Sequence, residues 1–371
     1  MTAGRLPQRA AAALAAQTGQ LSSHLVTIGF DGFVDEIVSL VDKRESPQQF
    51  SRIPTLSAFA DRITRAAGKG TNIELVVERV KLGGNGPNMA NALAVAGLNI
   101  TCIGNLGFPS LHPAFDELAR RATVYSVGEP GLTEALEFDD GKLMLGKHQT
   151  LNDVNWENLL KHVGLERLAS LIADSSLIAL QNWTMLPCMS DIWRHVLDEI
   201  CPNLPQRGGR RIFFDLADPE KRNPRDMAHA IELIANFQNH FETCLGLNEK
   251  ESFEIARVLG YKGASDGVDA VRAVAQFIQE QANIAEVVVH PRAYAIAASA
   301  EGIVKVDGPF VEKPLISTGA GDHFNAGFCL GKIIGADNEI ALQLGVGTSG
   351  YYVRTAQSPA AAELAEFLRS L

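Results

Sequence analysis

With 371 residues, 46% hydrophobic and 20% charged, the chain is long enough for one large α/β domain with an appendage, or for two ordinary domains, around a sizeable core. Acidic residues outnumber basic ones 43 to 33, a formal net charge of −10. This argues against a broad basic surface for nucleic acid or anionic lipid, though not against a phosphate ligand held by backbone amides.

The first twenty residues, MTAGRLPQRAAAALAAQTGQ, carry a short alanine-based apolar run that reads as a surface helix rather than a targeting peptide. No apolar run reaches the roughly 18 residues that a membrane span needs. The five cysteines, with no C-x-x-C pair and no metal-finger spacing, read as buried thiols of a reducing, cytoplasmic compartment. The first strand is expected at Leu25 to Phe30, LVTIGF, stopping at Asp31-Gly32. Val34 to Asp42 and Asn72 to Lys81 mix apolar with polar residues as strands with one wet face do. Between them lies an insertion with a helix-like piece, LSAFADRITRAAG. Gly83 to Ala96, GGNGPNMANALAVA, places a tight turn before a helix that begins near Pro87, with Asn85 able to cap it or to donate and accept at a ligand. It is not a dinucleotide fingerprint, because the third glycine position is Met89.

Further on, Glu134 to Gly146 reads as a hairpin turning at Asp139-Asp140-Gly141. Short apolar runs at Ile100 to Gly107, Leu177 to Gln181, Arg211 to Leu216 and Glu286 to His290 alternate with segments of helical period. Such alternation implies a mostly parallel central sheet with helices on both faces, a three-layer α/β/α sandwich. Ligands then bind beyond the carboxyl ends of the strands. The strands expected within residues 34–82 and 133–146 would form a small separate sheet that covers a site or pairs with a second subunit.

Ser317 to Phe328 reads STGAGDHFNAGF. Small residues lead into a helix, so its first amides face whatever lies at its start, a ready anion site with Asp322 at its lip. Alone, the pattern also describes an ordinary helix start with a favourable acidic residue. The full string resembles the second signature of the ribokinase-like (PfkB) carbohydrate kinase family, and Gly83 to Ala96 resembles the first. The resemblance implies one ribokinase-like domain over residues 1–371 with a small β-sheet lid. It implies transfer of the γ-phosphoryl of ATP, with Mg2+, to a hydroxyl of a sugar or related polyol. Asp322 would be the catalytic base, and Gly319, Ala320 and Gly321 would form the anion hole. Asn248 and Glu251, in Asn248-Glu249-Lys250-Glu251, match the family's N-x-x-E element, which orders the metal and nucleotide phosphates; the same spacing is also a near capping box. Asp35, Gly83, Gly84 and Asn85 would hold the sugar, Asp31 would help or shape the turn, and Asn182 would line the pocket while Trp183 packs. The residues Asp215, Asp218, Lys221 and Arg222 would form a rim or a solvated loop, and His323 would back the site.

Two departures from the family stand out. Ile316 occupies a position where relatives usually carry an Asp of a monovalent-cation site, so potassium activation is not expected. PRAYAIA, after the strand EVVVH, lacks the glycines of the usual nucleotide-contacting turn, which leaves ADP open as donor. A phosphorylated acceptor would need a cationic clamp, with Lys43, Arg44 and Arg79 as candidates. A silent binding protein of the same fold is the other alternative, and a homodimer through the lid is the expected assembly.

Overall fold

Short apolar runs that are buried on both faces pair as parallel sheets, because neither face meets water. In the computed structural model, which describes residues 5–205 and 208–371, Leu25–Phe30 pairs in parallel with Asn99–Gly104 on one side and Leu177–Leu180 on the other. Arg211–Asp215, Glu242–Leu247 and Glu286–Val289 extend the sheet, and Thr123–Ser126 closes the opposite edge. Among the described residues nine strands share this sheet; the last two, Tyr294–Ser299 and Gly302–Asp307, run antiparallel as a hairpin. PRAYAIA is thus the entry to an edge hairpin.

Successive side chains serve opposite faces, as the strand period demands. Phe213 packs with Met89, Leu93 and Phe328, whereas Phe214 packs with Trp183, Trp193 and Phe237. These two apolar clusters, one on each face, complete a three-layer sandwich. The N-terminal helix Leu6–Gln17 is more than a surface helix: Ala10, Ala11 and Leu14 are fully buried in the cluster that also holds Leu364 and Leu368. Helices Ala320–Ile333 and Asn338–Thr355 approach closely because Gly327 and Gly331 face the second helix; a Cβ on Gly327 would meet the Leu344 carbonyl oxygen at 2.5 Å.

A second sheet is built around Phe33–Arg44. It pairs antiparallel with Leu75–Gly83 and Phe50–Arg52, and parallel with Gly131–Phe138. Gly131–Phe138 forms a hairpin with Gly141–Lys147. The insertion contributes the helix Leu56–Ala66, capped by Thr55, whose Phe59 stacks on Phe138 above Val38, Leu40 and Leu136. Asp31, Asp215, Asn248 and His290 all stand at the carboxyl ends of main-sheet strands. Helices Asn85–Ala96, Glu249–Val258 and Ala320–Ile333 begin at the same edge, which makes it the candidate site.

Candidate active site

The first glycine loop exists to admit two carboxylates. A Cβ on Gly83 would lie 2.6 Å from Oδ1 of Asp35, and one on Gly86 would lie 2.7 Å from Oδ1 of Asp31. Gly84 adopts φ +97°, the left-handed region that glycine enters without penalty. Asp31 is fully buried and accepts from the amides of Asn85 and Gly86, each at 2.8 Å, and from Asn182 Nδ2 at 2.9 Å. Burial pushes its carboxyl up, and these donors pull it back. The other end of the Asn182 amide accepts from the Met185 amide at 3.4 Å. Asp31 and Asn182 therefore hold each other and the glycine loop, and Asp35 is the carboxylate on the cleft side.

Asp322 follows from two local structures meeting. Asn85 and Asn88, three residues apart on one helix face, donate their Nδ2 groups to Oδ1 and Oδ2 of Asp322, both at 2.9 Å. Asp322 is only 7% exposed. Burial raises its pKa from 3.8 to about 8, with the charges of Asp31 and Asp35 adding to the rise and the two asparagines opposing it. Asn88 was not singled out from the sequence; its i+3 spacing from Asn85 was the available signal. In front of Asp322, Ser317 to Ala320 form a turn closed by Ala320 N–H donating to Ser317 O at 3.2 Å. Gly319, at φ +86° and ψ 0°, holds the third position of a type II turn. Of the three expected anion-hole residues, Ala320 thus spends its amide on the turn, while Gly321 stands at the open first turn of the helix. Gly321 also has to be small, since a Cβ there would lie 3.3 Å from His290 Cε1.

Asp35 sits between two cross-strand neighbours of the second sheet. Lys81 Nζ is 3.9 Å from its Oδ2, and Thr133 stands opposite it on the neighbouring strand. Burial raises the Asp35 carboxyl, and Lys81 opposes the rise. Beyond it opens a cleft of about 520 Å³ lined by Arg79, Lys81, Glu137, Lys142, Ile316 and Thr318. Lys142 crosses from the second sheet to donate to Thr318 Oγ1, next to the type II turn. Of the candidate clamp, Arg79 lies in this cleft. Arg44 is engaged elsewhere, bonded to Glu74 through Nε at 3.0 Å, and Lys43 precedes it near the end of the same strand.

A third carboxylate cluster lies on the other side of Asp322. Asn248 and Glu251 do form the capping box: each donates its amide to the other's side chain, at 2.8 and 2.9 Å. Glu251 also accepts from the Asp218 amide at 2.8 Å. Asp215, buried, accepts from Asn325 Nδ2 at 2.7 Å. Burial, then the charges of Glu251 and Asp322, push its carboxyl well above the usual range. Asn325, one helical turn after Asp322, was not anticipated either. Arg222 does not face the cleft: it stacks over Trp183 and donates to the carbonyls of Trp183, Thr184 and Leu186. Asp218, Lys221 and Lys250 form a solvated ion cluster. Among the described residues, no three His, Cys, Asp or Glu side chains group as a metal shell, and no helix is long and apolar enough to cross a membrane.

A mostly parallel sheet, a second small sheet over its carboxyl edge, and a buried Asp behind a glycine turn define a class, the ribokinase-like carbohydrate kinases. Solved structures share the fold. Phosphofructokinase-2 from Escherichia coli is 16% identical, with a TM-score of 0.66 over 94% of this chain and 99% of that one. Arabidopsis thaliana ribokinase is 14% identical, with a TM-score of 0.64 over 93% and 98%. A family model described as prokaryotic ketohexokinase matches residues 8–371, and the chain belongs to that family. The ketohexokinase of Haloferax volcanii is 29% identical over 344 residues, 92% of this chain and 90% of that relative. The chain is a sugar kinase.

Proposed function

We propose that this enzyme phosphorylates a hydroxyl of a ketohexose with ATP and Mg2+ in the cytoplasm, as a single kinase domain over residues 1–371 whose second sheet serves as lid. The observation that carries the reading is the buried Asp322, oriented through both oxygens by Asn85 and Asn88. A carboxylate with a pKa near 8 is basic enough to take a sugar hydroxyl proton as the phosphoryl arrives, where an exposed Asp would not be. Asp35, set against Gly83 in the cleft, would accept from sugar hydroxyls, with Gly84 allowing the close approach. The amides of Gly319, Ala320 and Gly321 would receive the phosphoryl once the turn yields its Ala320 bond. Phosphoryl transfer asks mainly for such positioning and charge stabilisation.

The residues present suit magnesium. Asp215 lies near two other carboxylates, and among the described residues no basic side chain pairs with it. Mg2+ needs only one or two carboxylates beside its waters and phosphate oxygens. Asp215 and Glu251, with Asn248, would hold the ion through its waters. When bound, it would neutralise charge on the nucleotide phosphates. Ile316, which lines the cleft, has no side-chain oxygen to offer a monovalent cation.

A homodimer through the second sheet fits its surface away from the cleft, where Leu75, Val77, Val80 and Leu145 are exposed. A second reading, a phosphorylated acceptor, has one observation behind it: Arg79, Lys81 and Lys142 line one cleft. A coupled assay of nucleotide consumption, with ATP and ADP each run against ketohexoses and their phosphate esters, tests both readings. Turnover of a free ketohexose with ATP is the expected result. Turnover of the esters alone would replace the first reading with the second.

A further inference from the structure

The type II turn that carries the anion hole is held from behind by two stacked aromatic rings. Tyr352 donates its hydroxyl to the Thr318 carbonyl at 3.0 Å. His323 Nδ1 lies 2.7 Å from the Gly319 carbonyl, which also accepts the His323 amide at 3.1 Å. The two rings stack with centroids 3.6 Å apart and planes 14° from parallel. His323 is 2% exposed and Tyr352 7%. A carbonyl can only accept, so the ring proton of His323 sits on Nδ1. Its Nε2 is then the acceptor, and Ser358 Oγ, 2.8 Å away, is the donor. Asn91 Nδ2, at 3.4 Å, supplies Ser358 in turn. Burial drops the His323 pKa to about 4, which keeps this tautomer neutral.

In a trans peptide the carbonyl and the following N–H point in opposite directions. Holding the Thr318 carbonyl therefore aims the Gly319 N–H, and holding the Gly319 carbonyl fixes the peptide whose Ala320 N–H closes the turn on the Ser317 carbonyl, the bond that the phosphoryl would replace. The choice matters because type I and type II turns differ by a flip of their central peptide, here Thr318–Gly319. The Tyr352 hydroxyl selects the type II orientation. Gly319 also lets that hydroxyl in, since a Cβ there would lie 3.2 Å from it. We propose that Tyr352 and His323 are positioning residues that fix the direction of the anion-hole amides, acting through the Thr318 and Gly319 carbonyls. The inference rests on the kinase reading above.

The test uses Tyr352→Phe, which removes one hydroxyl and keeps the ring, together with His323→Leu and His323→Asn. Misdirecting the Gly319 donor in Tyr352→Phe, or loosening the Gly319–Ala320 peptide in His323→Leu, should lower kcat roughly 10- to 100-fold, with KM for the sugar within about threefold. His323→Asn retains an N–H donor near the Nδ1 position and should recover most of the loss. A merely structural role would not move the second readout. ADP with aluminium fluoride, a planar mimic of the phosphoryl in flight, should inhibit Tyr352→Phe more weakly by the same factor as the kcat loss, while inhibition by ADP alone stays unchanged. Wild-type kcat in Tyr352→Phe, or a lowered kcat with unchanged aluminium fluoride inhibition, overturns the proposal while wild-type turnover leaves the kinase reading standing. A wild-type enzyme silent on every sugar overturns both.

Discussion

Asn88 offers the sharpest handle on the proposed base, because it bonds Asp322 through one oxygen. Its Nδ2 donates at 2.9 Å to Oδ2, and this bond is the largest influence lowering a pKa that burial has lifted to about 8. A hydrogen bond to a charged group contributes about 1.5–3 kcal/mol, and one pKa unit corresponds to about 1.4 kcal/mol. Asn88→Ala should therefore raise the Asp322 pKa by roughly one to two units. Well below both pKa values, at about pH 6.5, the ionised fraction falls in proportion, so kcat/KM should drop roughly 10- to 100-fold. Toward about pH 10 the two enzymes should come within about twofold, because the wild-type carboxyl is then almost fully ionised and the variant's at least about half. The check is kcat/KM for the sugar across this range, since that parameter reports the free enzyme. A variant whose profile runs parallel to wild type, with the same apparent pKa and a pH-independent deficit, would refute the argument. Asn88 would then be a contact of substrate or scaffold instead.

Other outcomes follow from the same geometry. If Asp322 is the base, Asp322→Asn should cut turnover by about 10²- to 10⁴-fold, as loss of a general base does. It should also raise the melting temperature at neutral pH. The Asp322 pKa is raised on folding from 3.8 to about 8, so wild-type stability declines as pH rises through that window, and Asn escapes the decline. A lower melting temperature for Asp322→Asn at neutral pH would contradict this. Gly83→Ala should displace the Asp35 carboxylate, whose Oδ1 would stand 2.6 Å from the new Cβ, raising KM for the sugar about tenfold and leaving KM for ATP alone. Val77→Glu with Leu145→Glu, both now exposed on the second sheet, should convert a dimer to monomer by light scattering; a wild-type monomer would dismiss the dimer.

What the sequence made legible was what is local in the chain. GGNGPNMANALAVA and STGAGDHFNAGF each compress a turn, a helix start and a functional side chain into about a dozen residues, and the strands announced themselves as short apolar runs. Pairing over long separations was hidden. Asp31 and Asn182 both have the chemistry to hold a polyol, yet they are 151 residues apart in sequence and bond to each other. Asp215 looked like a loop residue because its partner, Asn325, lies 110 residues on. The partners of His323 were equally hidden, one being a backbone carbonyl four residues back in Gly319 and the other a hydroxyl 35 residues on in Ser358. The edge hairpin from Tyr294 to Asp307 was missed for another reason. Its alanine-rich first strand, YAIAAS, has no strong strand propensity, and pairing with Glu286–Val289 supplies what the residues themselves do not.

The choice of partners for the buried carboxylates has a logic of its own. Asp322 is served by Asn85 and Asn88, Asp31 by Asn182, and Asp215 by Asn325. No lysine or arginine side chain bonds to any of the three among the described residues, although Lys81 stands one strand position away against Asp35. A cation would settle the carboxylate as permanently ionised and, if later separated, leave an expensive buried charge. A neutral amide fixes the orientation of both oxygens while burial keeps the group willing to take a proton. For Asp322 that suits the role of base proposed above. For Asp215 it leaves a buried carboxyl that no cationic side chain among the described residues pairs with, which suits the divalent ion proposed above. Replacing Asn85 or Asn88 by lysine should therefore harm catalysis more than removing the hydrogen bond does. The ion pair would pull the Asp322 pKa down toward the ordinary carboxylate range and weaken the base at every pH. The signature separating the two effects is the pH profile: it should shift to higher pH in Asn88→Ala, and flatten at a low plateau with its inflection moved to acid in Asn88→Lys.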